Sequence, residues 1–183
     1  SILEESVAAF VRAELAQQRA IKDFPGAYAG LRIGLNRGFS TVTAPNYKTM
    51  LAAGEITQSY AKDNRTNLLL LRRKRIDVFI NDRLSILWEL QQMRSEDLLA
   101  SSGLDWLVEG PTLSSEHGHL GYTRINEQAY PYKQDFMQQL DQALLALEQD
   151  GSITRLAQRY SSIDLLPATG NGSSEDATSG NDL

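Results

Sequence analysis

An α/β fold is what this sequence predicts, and three observations carry the prediction. Short apolar runs with glycine or polar borders alternate with segments whose apolar residues recur every three or four positions. The run Ile76-Asp77-Val78-Phe79-Ile80 is apolar at nearly every position, as in a strand of a parallel sheet covered on both faces. Residues that start or stop helices, among them Pro45, Gly54, Asn81, Asp82 and Gly151, stand where one kind of run gives way to the other. The 183 residues suffice for one ordinary domain or two small lobes, and 42% hydrophobic with 22% charged is a globular composition.

The opening segment has two readings. Leu3, Val7, Phe10, Val11 and Leu15 recur at helical spacing behind a potential capping box, Ser1 with Glu4, whereas Ser6 to Val11 is also compatible with a strand. Asp23-Phe24-Pro25-Gly26 is a turn, and Leu31 to Leu35 alternates like a strand. A loop, Asn36 to Thr41, leads to a helix from about Pro45 to Ala53, stopped by Gly54. Ile56 to Tyr60 is a second strand, Asn64 to Lys74 a helix, and Ile76 to Ile80 a third strand. Asn81-Asp82 caps a helix with Leu84, Leu87, Trp88 and Met93 on one side. Asp105 to Glu109 reads as a short strand ended by Gly110-Pro111, and His119 to Ile125 as a further one. Gln134 to Gln149 is an amphipathic helix striped by Phe136, Leu140, Leu144 and Leu147, and Ser152 to Arg159 is a last short helix. From Pro167 the composition predicts a disordered tail.

Charge and composition exclude several functions. Lys+Arg 18 against Asp+Glu 23 gives a net charge of -5, to which the tail residues Glu175, Asp176 and Asp182 contribute strongly. A near-neutral body with one basic cluster, Arg72-Arg73-Lys74-Arg75 at a helix end, is not a nucleic-acid-binding surface. With no cysteine, thiolate metal sites and Cys nucleophiles are excluded. Glu116-His117-Gly118-His119 offers three metal donors without a fourth, and the two histidines form no hydrolase triad, so neither a metal nor a catalytic group is expected. Gly34-x-x-x-Gly38 lacks the third glycine of a dinucleotide fingerprint, and no cofactor is expected. The N-terminus has no signal-peptide pattern, and no apolar run approaches membrane-spanning length.

Four stretches, taken in order, resemble the type 2 periplasmic solute-binding proteins of ABC importers, in the family 3 group associated with polar amino acids. They are Val7 to Arg12, Gly30 to Phe39, Leu71 to Asp82 with aspartates at 77 and 82, and Phe136 to Gly151 with the following Ile153, Ala157 and Tyr160. The resemblance implies one complete α/β lobe with a mostly parallel sheet, plus interlobe strands and C-terminal helices of a partial second lobe. In its terms, residues 1–29 are the first interlobe strand and linker, and residues 30–118 are lobe 2. Residues 119–163 are the return crossing and the C-terminal helices of lobe 1, and 164–183 are the acidic tail. The N-terminal part of lobe 1, which supplies half the ligand cleft in the family, has no counterpart in the sequence.

What the resemblance implies for function is a non-enzymatic, periplasmic domain that closes on a small polar solute such as an amino acid and delivers it to an inner-membrane ABC permease. The expected ligand-binding residues are Gly38, Phe39, Ser40, Thr41 and Asp82. Backbone N–H groups near Gly38 to Thr41 would receive a carboxylate, Phe39 would stack or gate, and Asp82 would face a ligand ammonium group. Phe39 stands where amino-acid binders commonly have a small hydroxyl residue, and a tight turn with a buried Phe39 is the plainer alternative. For Asp82 the plainer alternative is a helix N-cap. Asp77 is expected to order the Arg75 turn. Lys74 stands where the family often has glycine, implying a different cap at that helix exit. The competing function is a structural or interaction module that self-associates through exposed C-terminal helices.

Overall fold

The computed structural model describes residues 4–39, 42–99, 103–161 and 165–167. Ser40, Thr41 and the acidic tail beyond Pro167 lie outside the described residues.

The strands are β1 (Glu4–Arg12), β2 (Arg32–Asn36), β3 (Thr57–Ala61), β4 (Val78–Asp82), β5 (Leu107–His117) and β6 (Leu166–Pro167). The helices are α1 (Ala13–Gln18), α2 (Tyr47–Ala52), α3 (Asn64–Arg72), α4 (Arg83–Ser95), α5 (Lys133–Gln149) and α6 (Ser152–Ser161). All six strands form one sheet in the order β3-β2-β4-β1-β5-β6. β2 is parallel to β3 and to β4, whereas β1 lies antiparallel between β4 and β5. The ambiguous opening segment is therefore a strand. Its Ala8 and Phe10 alternate with Ala9 and Val11, and all four are fully buried, because both faces of the sheet are covered.

Two cores result. On one face Phe10 and Phe79 meet Leu68 and Leu71 of α3 and Ile86, Leu87, Leu90 and Met93 of α4. On the other, Val11, Ile33, Val78 and Ile80 meet Tyr28, Tyr47 and Ile56. Burying side chains of this size contributes roughly 1.5–3 kcal/mol each, so β1 and β4, apolar on both faces, anchor the fold.

Several expectations shift. α2 starts only at Tyr47, behind Asn46 in the left-handed region at φ 63, while Gly54 stops it at φ 71 as anticipated. Lys74 itself takes the left-handed position, at φ 60, with its N–H donating to Leu71 O (3.1 Å) and that of Arg75 to Leu70 O (2.8 Å). The helix exit thus keeps the glycine-type cap with lysine in it. Asp77 reaches the Arg75 turn through Arg32, whose Nη2 donates both to Asp77 Oδ1 (2.9 Å) and to Lys74 O (2.7 Å). It accepts from Arg12 Nη2 (3.1 Å) and Arg32 Nε (2.8 Å), tying β1 and β2 to the start of β4. α4 turns Ile86, Leu87, Leu90 and Met93 inward, but Trp88 is 42% exposed and meets Tyr160 of α6 at 5.0 Å between ring centroids.

β5 runs straight through Gly110-Pro111, where an end was expected. The register steps from Ala8↔Thr112 to Phe10↔Glu109, so one extra residue is accommodated there, and a second step follows between Val7 and Ala8. Bulges are where a sheet tolerates proline's missing N–H, and a Cβ on Gly110 would sit 3.0 Å from Ala9 O. Residues 119–125 are not a strand; β5 ends at His117. α5 buries none of its residues, and α6 is its neighbour, packing in turn on α4. No helix among the described residues is long and apolar enough to cross a membrane.

Candidate functional site

A cleft of about 450 Å³ opens at the carboxyl ends of β2 and β4 and the loop after β3, where ligands bind in open α/β sheets. The antiparallel β1 brings its amino end to the same place, and β5 its late residues. In one register row Asp82, Val7 and Ser114 lie side by side, and two rows on, on the same face, Glu5 faces Glu116. All five line the cleft.

Asp82 uses its two carboxylate oxygens differently. It precedes α4, and its Oδ1 accepts from Ser85 N–H at 2.7 Å, so the N-cap role is real. Its other oxygen, Oδ2, is buried and has no hydrogen-bond partner among the described residues. A buried acceptor left unpaired is costly, on the order of 1–3 kcal/mol, and more when charged. Phe39 is 57% exposed on the rim and lines the cleft, so it does not fill the turn as a buried plug. Gly38 takes φ 85 with open space where a Cβ would be, in a turn closed by Phe39 N–H on Asn36 O (3.2 Å). The described structure therefore brings Phe39 and Asp82 to one cleft and leaves Gly38 in the adjoining turn. Since α2 begins at Tyr47, no helix N-terminus directly follows that turn.

The cleft is acidic. Among the described residues, Glu5, Asp63, Asp82, Glu89 and Glu116 line it, against Lys62 as the lining cation. Glu89 is bound by Arg65 Nε at 2.6 Å. Asp63 caps α3 by accepting from Thr66 N–H at 2.8 Å, a bond that holds its carboxyl below the usual range, with Lys62 3.5 Å away. Glu5, Asp82 and Glu116 have no ion-pair partner among the described residues. Nor is any group of three or more His, Asp or Glu among those residues arranged to hold a metal ion. His117 ends β5, while His119 lies past it in a separate pocket with Tyr122, Asp141 and Glu148.

Sequence reasoning missed Asn36, Asn64 and Asn81, which also line the cleft. Asn36 and Asn81 share the position that drew attention to Asp82, the carboxyl end of a strand, and the same rule extends to them. Glu5 and Glu116, 111 positions apart, had no local signal, because strand pairing alone makes them neighbours.

No protein-family model matches the chain, and no curated protein matches it either. Solved structures do match. An ancestral arginine-binding protein bound to glutamine superposes at a TM-score of 0.54 with 17% identity, covering 87% of this chain and 60% of that one. The GluR0 ligand-binding core in complex with L-glutamate gives 0.55 with 10% identity over 87% and 61%. The amino-acid ABC transporter substrate-binding protein AbpA of Streptococcus pneumoniae, bound to L-arginine, gives 0.51 with 10% identity over 89% and 60%. This is the periplasmic-binding-protein fold. One α/β lobe of that fold accounts for the sheet and its two cores, and the chain spans about 60% of the length of the structures it matches.

Proposed function

We propose that this chain grips one side of a small solute carrying a protonated amine, as part of a family 3 type solute-binding domain. The observation that carries the reading is Asp82 Oδ2, unpaired among the described residues in a cleft where, among those residues, carboxylates outnumber cations. An ammonium group supplies the missing donor and the missing charge together. Phe39 on the rim covers the solute, and closure is a hinge motion about β1 and β5. In this reading residues 30–118 are the gripping lobe, residues 119–163 return to the opposite one, and the opposite wall completes the site. The matched structures, bound to glutamine, glutamate and arginine, support an amino acid as the solute class. Delivery to an ABC permease in the periplasm follows from the same resemblance, as does binding without catalysis.

Isothermal titration calorimetry with L-arginine, L-lysine, L-glutamine and L-glutamate tests this. The acidic lining predicts cationic before neutral before anionic solutes. A charge-assisted hydrogen bond is worth about 1.5–3 kcal/mol, so Asp82→Asn, which keeps a capping oxygen, should weaken the best solute at least tenfold. Equal affinity in wild type and Asp82→Asn, or no heat with any of the four, refutes it.

A second reading, an interaction module, is favoured by α5 and α6. Phe136, Leu145, Leu147, Leu156 and Tyr160 are each more than 40% exposed there. With Leu84 and Trp88 of α4, these helices also border an apolar groove of about 600 Å³.

A further inference from the structure

Four asparagine side chains meet at the cleft, three of them lining it, and their hydrogen bonds have one centre. Asn64, the first residue of α3, accepts at Oδ1 from Asn36 Nδ2 (2.7 Å) and from Asn81 Nδ2 (2.7 Å). Its own Nδ2 donates to Ser85 O at 3.1 Å. Asn36 in turn accepts from Asn67 Nδ2 at 2.8 Å, which anchors the cluster in the second turn of α3. Asn36, Asn67 and Asn81 are 7%, 0% and 4% exposed; the Asn67–Asn36 bond is buried, where an unmade one is costly, the two onto Asn64 Oδ1 are part-buried, and the bond to Ser85 O is exposed.

One carboxamide thus joins the carboxyl end of β2, the carboxyl end of β4 and the first turn of α4. That turn is the one whose Ser85 N–H is held by Asp82 Oδ1. We infer that Asn64 is a positioning residue: by holding Ser85 and the end of β4, it aims the Asp82 carboxylate into the cleft. The inference rests on the reading of Asp82 as the group that receives the solute's ammonium. The chemistry needs an amide at position 64, because one group must accept twice and donate once. An ionised Asp or Glu there lacks the donor, and a single hydroxyl would have to make all three bonds from one atom instead of from Oδ1 and Nδ2.

Asn64→Asp is the informative variant. It keeps the acceptor for Asn36 and Asn81, loses the donor to Ser85 O, and places an oxygen against that carbonyl. A carboxylate in the first turn of a helix suits the dipole, so folding should survive. The added negative charge by itself would strengthen a cation's binding, so the sign of the change separates positioning from bulk charge. The full chain is titrated calorimetrically with L-arginine as probe, for wild type, Asn64→Asp, Asp82→Asn and the double variant. Ser85 amide hydrogen exchange is followed by NMR in the same proteins, with Asn64→Ala as a second, uncharged variant.

The expected result is at least a tenfold loss of arginine affinity in Asn64→Asp. In the Asp82→Asn background the further loss should be less than twofold, since the carboxylate being aimed is gone. Ser85 exchange should quicken about tenfold or more in both Asn64 variants. Unchanged or tighter arginine binding in Asn64→Asp, or losses that multiply in the double variant, overturns the inference. Should wild type bind none of the four solutes, the proposed function fails by itself. Ser85 exchange then decides on Asn64: quickened exchange supports its hold on the Asp82 turn, and unchanged exchange removes it.

Discussion

Replacing Asp77 by Asn probes the joint between the antiparallel strand and the rest of the sheet. Burial pushes the Asp77 carboxyl up, but bonds from Arg32 and Arg12 outweigh it and hold the group at about 2 against an ordinary 3.8. The side chain is 13% exposed, so solvent screens little of this. At about 1.36 kcal/mol per unit, the shift corresponds to about 2 kcal/mol of stability at neutral pH. Because the folded value is the lower one, that stability is present above pH 4 and is lost as pH falls from about 4 to 2. Asn keeps the shape and removes the charge. Urea denaturation followed through Trp88 and Trp106 should show Asp77→Asn about 2 kcal/mol less stable at pH 7, with the gap to wild type closing between pH 4 and 2. A gap below about 0.5 kcal/mol at pH 7, or one of constant size down to pH 2, refutes the reasoning.

Two more expectations follow from packing. A Cβ at Gly34 would strike Ile76 Cδ1 and lie 2.7 Å from Asn67 Oδ1. The isoleucine methyl can swing away but Asn67 is tethered to Asn36, so Gly34→Ala should cost about 1–3 kcal/mol in a urea titration; a cost under about 0.5 refutes the close approach. The exposed apolar residues of α5 and α6 should drive self-association visible by light scattering, and Leu145→Glu with Leu156→Glu should reduce it. A clean monomer for the unaltered chain removes that expectation.

The parts of this fold that were legible in the sequence are those whose signal is local. The apolar run ending at Ile80 announced a strand covered on both faces, and Asp82 after it announced a cap; both follow from a few adjacent residues. β5 was cut short because Gly110-Pro111 reads locally as a stop. It becomes a bulge only when β1 lies alongside to absorb the extra residue. Trp88 was placed inward because helical spacing cannot say that α6 offers its face a second apolar neighbour. Lys74 was expected to change its cap because glycine preference is a matter of cost. Alternating bonds from Lys74 and Arg75 to the last carbonyls of α3 offset that cost here.

The site was less legible than the fold for a reason of topology. Its strand residues come from β1 near one end of the chain, from β2 and β4, and from the far half of β5. Inserting β1 antiparallel between β4 and β5 brings these ends together, so the site exists only through pairing that no sequence window contains. Net charge does not report the sign of the cleft. The body is close to neutral, and its ion pairs, Asp77 with Arg12 and Arg32 or Arg65 with Glu89 and Glu96, lie in structural joints. Cations spent in those joints are unavailable to Glu5, Asp82 and Glu116. A nearly balanced chain therefore presents an unbalanced cleft, and the sign of that imbalance is the sign opposite to a protonated amine.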